Sequence, residues 1–402
     1  MRQSTTTVTS RLRAQIENLT SRPEQQLLLA TLATRLIPAL LIYGSDDVQA
    51  FDTIGRTLLA GGNPYHTKYP WGLPSVWILV SGLAHVVSDG TPLPFHFAIK
   101  LFLVAADLAI VFALHAFARR FGARGFRTAM LYALNPVSIY TTSIHGQFES
   151  LPALCVMMAA IISARPAGDA HGRWTGFWLG MGAAIKTWPL LVLPAFLAPR
   201  QKLWRRSTIL LLSFAIYSAF LVGPSLFVGL QSVRDAFTYR GPGGWWGLSA
   251  MVLDGWMSDG LLLRILFDAS MVAASILLAV KRPPPHVAAL FLLLTFYVTT
   301  PGFGTQYLLW IVPLALLADG PNAIAYSILA GVMLAIESLL RPYTGHIGEM
   351  FRVLPHLRYA RALGGTVDRH WTLVDRFPLW LFFIYWWGAT AWRVIRRPWH
   401  VA

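Results

Sequence analysis

Apolar runs close to the length needed to span a bilayer recur along the whole chain, with short arginine clusters between them. About 20 apolar residues carry an α-helix across the hydrocarbon layer, and a helix satisfies its own backbone donors and acceptors there. Hydrophobic residues make up 55% of the chain and charged residues 13%, about half the charged share usual in soluble domains. No polar block is long enough to form a separate soluble domain. The sequence therefore predicts an all-α polytopic membrane protein, with a cytoplasmic N-terminal segment over 1–24 and a single transmembrane domain over 25–397. Arg2, Arg11, Arg13 and Arg22 precede the first apolar run, the order of a signal anchor left in place. Cys155 is the only cysteine, so no intrachain disulfide can form.

The net charge of +15 does not point to nucleic acid. The arginines sit in short runs between apolar segments, the pattern of loops held in the cytoplasm. No basic stripe interleaved with aromatics is present, so nucleic acid is not expected as a partner.

Hydropathy places the segments and the Lys/Arg bias orients them. The run 27–43 goes outward. The run 95–117 ends at Arg119, Arg120, Arg124 and Arg127, so it returns. A full crossing by the apolar stretch 73–87 would put that basic loop outside. The stretch is therefore expected to lie at the outer interface or re-enter, within a long first external loop over 44–94. That loop should carry membrane-lying helices, with 51–60 an amphipathic candidate. The run 174–198 is basic at both flanks, so it should go out and come back, turning at Lys186-Thr187-Trp188-Pro189. This procedure gives about twelve crossings with both ends inside. The last external loop, 341–376, holds Arg341, Arg352, Arg358, Arg361, Arg369 and Arg376, and external cations beside a bilayer suit an anionic phosphate.

With this topology several polar groups gather on the outer face: Asp46, Asp47 and Asp52 after the first run, the turn His145-Gly146-Gln147-Phe148-Glu149-Ser150, Lys186 at the hairpin tip, Tyr239-Arg240 with Trp245-Trp246, and Thr305-Gln306-Tyr307. Acids, a lysine, arginines and aromatic rings on one rim make a cavity for a polar, partly anionic substrate. Trp245-Trp246 is expected at headgroup depth, where aromatics concentrate. Within the apolar runs, Arg264 and Asp268 lie four apart and are expected to neutralise each other, and Lys100 and Asp107 lie two turns apart and can do the same across helices. Arg35 and Glu337 have no partner evident in sequence.

Four motifs stand in order along the chain. Asp47 lies four before Phe51 and is followed by Asn63-Pro64-Tyr65 and Tyr69-Pro70. Leu134-Asn135-Pro136 precedes Gly146-Gln147-Phe148-Glu149-Ser150. Ala184-Ile185-Lys186-Thr187-Trp188-Pro189 is the third. Gln306-Tyr307-Leu308-Leu309-Trp310 with Pro313 is the fourth. Together they resemble the GT-C superfamily of integral-membrane glycosyltransferases over nearly the whole chain. The nearest likeness is to the polyprenyl- or dolichyl-phosphate-mannose-dependent mannosyltransferases, including the enzyme that adds the first mannose to glycosylphosphatidylinositol. Ser45 stands where that enzyme's Asp-x-Asp pattern has its first aspartate, and Asp46 is its possible substitute. His145-Gly146-Gln147-Phe148 is also similar to a His-Gly-His-Phe-Gln element of glucosyltransferases that extend lipid-linked oligosaccharide.

The resemblance implies an inverting transfer of a sugar, mannose by nearest likeness, from a polyprenyl-phosphate donor. The acceptor would be a hydroxyl of a glycan, glycolipid or protein on the extracytoplasmic face, at the cell membrane. It implies Asp47, or else Asp46, as the base. Lys186, Arg240, Arg341, Arg352 and Arg358 are the candidate phosphate cations. Asp52, Tyr65, His145, Gln147, Glu149, Trp245, Gln306 and Tyr307 are the other substrate-binding candidates. Asp46, Asp47, Asp52 and Glu149 alone offer hard oxygen ligands. Users of monosaccharide lipid-phosphates generally need no metal, so none is expected, and no other cofactor. The rival readings are a transporter or flippase of a lipid-linked or anionic solute, for which polar residues on both faces and internal repeats are missing, and a non-catalytic scaffold of a glycosylation complex.

Overall fold

The computed structural model describes residues 22–67, 75–164, 170–197, 203–223, 246–252, 260–340 and 369–397, with 233 and 399. Among the described residues the elements are helices, with no strand element.

Helix α1 (Pro23–Leu41) opens on Pro23, at a position whose N–H has no helical partner in any case. The chain then bends by 77° into α2 (Asp46–Leu59). Val48, Phe51, Ile54 and Gly55 of α2 are buried at helical spacing, and α2 packs on α3 (Ser75–Gly90). Gly55 permits that approach, since a Cβ there would lie 2.6 Å from Ser81 O. The stretch 44–94 thus carries two helices, and the amphipathic one begins five residues earlier than 51–60.

Helix α4 (Phe95–Phe117) lies against α1 and caps it. His96 Nε2 is 3.2 Å from Leu40 O, and Lys100 Nζ donates to Ile42 O at 2.7 Å. These carbonyls belong to the end of α1, where no helical N–H remains for them. The Lys100–Asp107 pairing expected from spacing does not form. Asp107 instead faces Arg35 at 3.0 Å, and both side chains are fully buried.

The next pass is broken. Helix α5 (Gly125–Ala133) stops before Asn135, and α6 (Pro136–Ile139) runs into a π-helical turn, Tyr140–His145. Asn135 Oδ1 accepts from Val137 N and Ser138 N at 2.9 and 3.2 Å, and Pro136 occupies the first helical position. The Asn-Pro pair therefore starts a new helix. Helix α7 (Ser150–Ser163) returns alongside α8 (Ala170–Ile185).

The hairpin expected over 174–198 is present in an unequal form. Helix α8 breaks at Lys186-Thr187, and the chain comes back as a 3₁₀ segment, Trp188–Phe196. Helix α9 (Leu203–Val222) then packs along α8. Cβ atoms at Gly172, Gly176 and Gly180 would meet Arg205, Ile209 and Ile216 in turn. The two helices therefore run parallel, which requires a return between them. The four-residue spacing of these glycines is the small-residue contact of close helix pairs in membranes.

The remaining helices are α10 (Gly247–Val252), α11 (Leu261–Lys281), α12 (Pro285–Thr299), α13 (Val312–Ala318), α14 (Gly320–Leu340) and α15 (Arg369–Arg396). Among the described residues four segments, Phe95–Phe121, Leu203–Val222, Leu261–Lys281 and Gly320–Glu337, are long and apolar enough to cross a membrane alone, and α1 with α2 makes a fifth if the bent pair is one span. Of the other helices, α15 is a continuous 28 residues and the rest are shorter. Large apolar side chains face outward from α1, α9, α11 and α14, among them Ile37 at 59%, Leu211 at 70% and Val280 at 68% exposure. Faces this apolar belong against lipid.

Glu337 finds Arg376 at 2.6 Å, and Asp319 pairs with Arg393. Arg264 and Asp268 make no ion pair among the described residues. They sit on the outward face of α11 with the cation N-terminal to the acid, the weaker order for an i,i+4 pair.

Candidate active site

Residues 145–149 form the centre of the site. The π turn delivers His145, and Gly146 reverses the chain at φ 81. No other residue fits at Gly146, because a Cβ would lie 2.5 Å from Val48 Cγ2 and 3.1 Å from Lys100 Cε. The N–H groups of Gly146 and Gln147 both donate to Thr141 O, at 3.1 and 2.9 Å. Ser45 N donates to His145 O at 3.0 Å. That last bond fastens the start of α2 to the turn.

Asp47 stands in the first turn of α2, where the helix dipole favours a carboxylate. Gln147 Nε2 donates to Asp47 Oδ2, and Ser45 Oγ lies 3.4 Å from the same oxygen. Asp47 Oδ1 takes no hydrogen bond among the described residues, and the side chain is partly exposed.

Glu149 is fully buried, and both its oxygens are engaged. Lys186 Nζ donates to Oε1, and Trp310 Nε1 donates to Oε2 at 2.7 Å. Burial raises the Glu149 carboxyl above the ordinary range, opposed by the charge and hydrogen bond of Lys186 and by the Trp310 N–H. Lys186 remains 22% exposed. Its ammonium lies 5.2 Å from the Phe148 ring centre and 5.1 Å from that of Tyr307, within cation–π range.

Aromatic rings form the walls. Phe148 packs on Phe51 and Trp77, with centroids 5.9 and 4.7 Å away. Tyr307 stacks on Trp310 at 4.3 Å, and Trp310 on Trp188 at 4.8 Å. One helix start, one five-residue turn, one helix break and one 3₁₀ turn thus bring Asp47, Gln147, Glu149, Lys186 and Tyr307 together.

Other candidates lie at the edge of this group or away from it. Asp52 is paired with Arg56 at 3.0 Å and His85 at 2.8 Å. Tyr65 is buried against Ile54 and Ile78. Asp46 neighbours Asp47 and is partly exposed. His145 contributes its carbonyl, and its ring lies 5.8 Å from that of Tyr140. Gln306 folds over Gly304, where a Cβ would meet its side-chain amide at 2.6 Å. Arg240, Trp245, Arg341, Arg352 and Arg358, like Tyr69-Pro70, lie outside the described residues. Trp246 is packed among the helices: it is 1% exposed, donates to Tyr297 O at 2.7 Å and stacks on Phe303 at 3.9 Å. Trp310 received no role from sequence. Its place three residues after Tyr307 in the fourth motif was the available signal.

An acid with one open oxygen, held at the same turn as a largely buried lysine paired with a buried glutamate, can take a proton from one group and hold an anion at another. The sequence model of glycosyltransferase family 87 matches residues 83–301, more than half of the 402-residue chain. The chain belongs to glycosyltransferase family 87. No curated protein matches it. The protein is thus a glycosyltransferase built on membrane helices. The matched stretch contains the 145–149 turn and Lys186, whereas Asp47 and Tyr307 flank it.

Proposed function

We propose that this family 87 member is an inverting glycosyltransferase that takes its sugar, mannose first among the candidates, from a polyprenyl-phosphate donor. The sugar goes to a hydroxyl of a glycan, glycolipid or protein acceptor on the extracytoplasmic face of the cell membrane. The observation that supports this is that one turn holds both groups: Gln147 donates to Asp47, and Glu149, two residues on, accepts from Lys186.

The chemistry follows from those groups. The acceptor oxygen attacks the anomeric carbon, the bond from that carbon to the donor phosphate breaks, and the acceptor proton passes to Asp47 Oδ1. Gln147 holds the other oxygen and so aims the carboxylate. The leaving phosphate is already an anion and needs no general acid. Lys186 stabilises its growing charge, and Glu149 with Trp310 fixes where that ammonium stands. No metal enters this scheme.

The test offers purified protein a panel of polyprenyl-phosphate sugars. One donor, polyprenyl-phosphate mannose first among them, should be consumed with inversion. Asp47→Asn should keep donor binding and lower kcat by about 10²- to 10⁴-fold. Unchanged turnover in Asp47→Asn removes the base from Asp47. Movement of the donor across the membrane without cleavage of the sugar–phosphate bond replaces the whole reading with a transporter.

A further inference from the structure

The bundle interior holds a fully buried ion pair, Arg35–Asp107. A charge pair inside membrane helices is expensive and marks function more often than not. Its contacts show what the cation serves. Arg35 Nη2 donates to Tyr132 O at 3.1 Å and to Ser138 Oγ at 2.5 Å, and Nη1 donates to Ala133 O. Asp107 balances the charge and accepts from Tyr132 Oη at 2.7 Å. The guanidinium therefore touches both sides of the break at Asn135-Pro136.

The break explains the need. Pro136 has no N–H, and Val137 N is turned to Asn135 Oδ1. Ala133 O consequently depends on a side-chain donor, Arg35 Nη1, because the one proton of the nearby Thr34 hydroxyl is closest to Ala30 O at 2.7 Å. An unmet carbonyl in the bilayer interior costs several kcal/mol. Beyond Ser138 the chain enters the π turn, and Thr141 O of that turn carries the N–H groups of Gly146 and Gln147. π turns of this kind gather at functional sites. Gln147 in turn holds Asp47.

We propose that Arg35 is a positioning residue: by bonding to the carbonyls before the break and the hydroxyl after it, it sets the register of the π turn and hence where Gln147 and Glu149 meet Asp47 and Lys186. The proposal rests on the reading of that turn as the active site. It assigns the buried pair a task that charge neutralisation alone does not.

The experiment compares Arg35→Lys, Arg35→Met and Arg35→Met/Pro136→Ala in the purified full chain. Three readings are taken: thermal stability, steady-state kinetics with a donor the unaltered protein consumes, and hydrogen exchange of the amides at 146 and 147. Arg35→Lys should fold, with those two amides exchanging faster than the rest of the bundle. Its kcat should fall by about 10²-fold, the effect of roughly 1 Å of misplacement, with KM for the donor changed less than twofold. Restoring an N–H at 136 in the double variant should recover melting temperature lost in Arg35→Met without recovering kcat. Wild-type exchange at 146 and 147 in Arg35→Lys overturns the proposal, as does recovery of both stability and kcat in the double variant. If the unaltered protein consumes no polyprenyl-phosphate sugar, the donor reading fails. The exchange pattern then decides the positioning claim alone.

Discussion

Glu149 shows how burial divides labour between carboxylates a few residues apart in space. Asp47 keeps an open oxygen, whereas both oxygens of Glu149 are held. Burial raises the Glu149 carboxyl, so its proton returns at a higher pH than an ordinary glutamate near 4.3 would allow. As pH falls through that raised value, Lys186 loses its anionic partner. The acid limb of the kcat/KM profile should therefore begin above the ordinary carboxylate range, and the part of it that reports Glu149 should be absent from Glu149→Gln, which keeps an acceptor for Trp310. For stability the sign reverses: a raised carboxyl supports the fold fully below its unfolded value and less as pH rises through its folded value. Thermal scans from pH 4 to 8 should show a shallower decline in Glu149→Gln. Legibility at this scale depended on sequence distance. Lys186, Glu149 and Asp47 were readable because each lies in a short polar motif at the end of an apolar run. Arg35 had no readable partner, since Asp107 lies on another helix. The burial of Trp246 was not legible because its partners, Tyr297 O and Phe303, lie some fifty residues on, and local sequence does not report them.

Among the elements, breaks matter more than spans. Asn135-Pro136 and Lys186-Thr187 interrupt apolar runs, and each interruption delivers a site residue. Charge bias and proline made the second visible in sequence. The first was read only as a motif within one continuous crossing, because hydropathy does not register a capped restart inside an apolar run. The α8–α9 contact was not readable either, since it depends on which way two helices run. It is testable at Gly176, where a Cβ already lies 3.0 Å from Ile209 Cα and O. Those are main-chain atoms with little room to yield. Gly176→Leu should destabilise by about 1–3 kcal/mol, the usual range for overpacking, seen as a lower melting temperature in detergent. Gly388→Ala, at a helical position with open space around it, should not lower it.

For the whole molecule, the all-α class followed from composition and the recurrence of apolar runs, and the arginines after α4 led to the expectation that 44–94 carries helices that do not cross. Orientation is the expectation most open to direct measurement. Cys155 is buried, so a cysteine placed elsewhere gives a clean signal. Thr91→Cys and Arg120→Cys replace exposed residues at opposite ends of α4. In intact cells a membrane-impermeant maleimide should label position 91 and leave 120 unlabelled until the membrane is opened; the reverse pattern would put the 145–149 turn in the cytosol. The return segment Trp188–Phe196 bears on how such chains are counted. At about 2 Å per residue its nine residues reach roughly 18 Å, short of the ~30 Å hydrocarbon layer. It contains Pro189 and Pro194 and is walled in by α7, α8, α11 and α12. A strand of chain sheltered by its neighbours answers to them and not to lipid thickness, so a ruler set to the bilayer will overlook the very passage that turns Lys186 toward its glutamate.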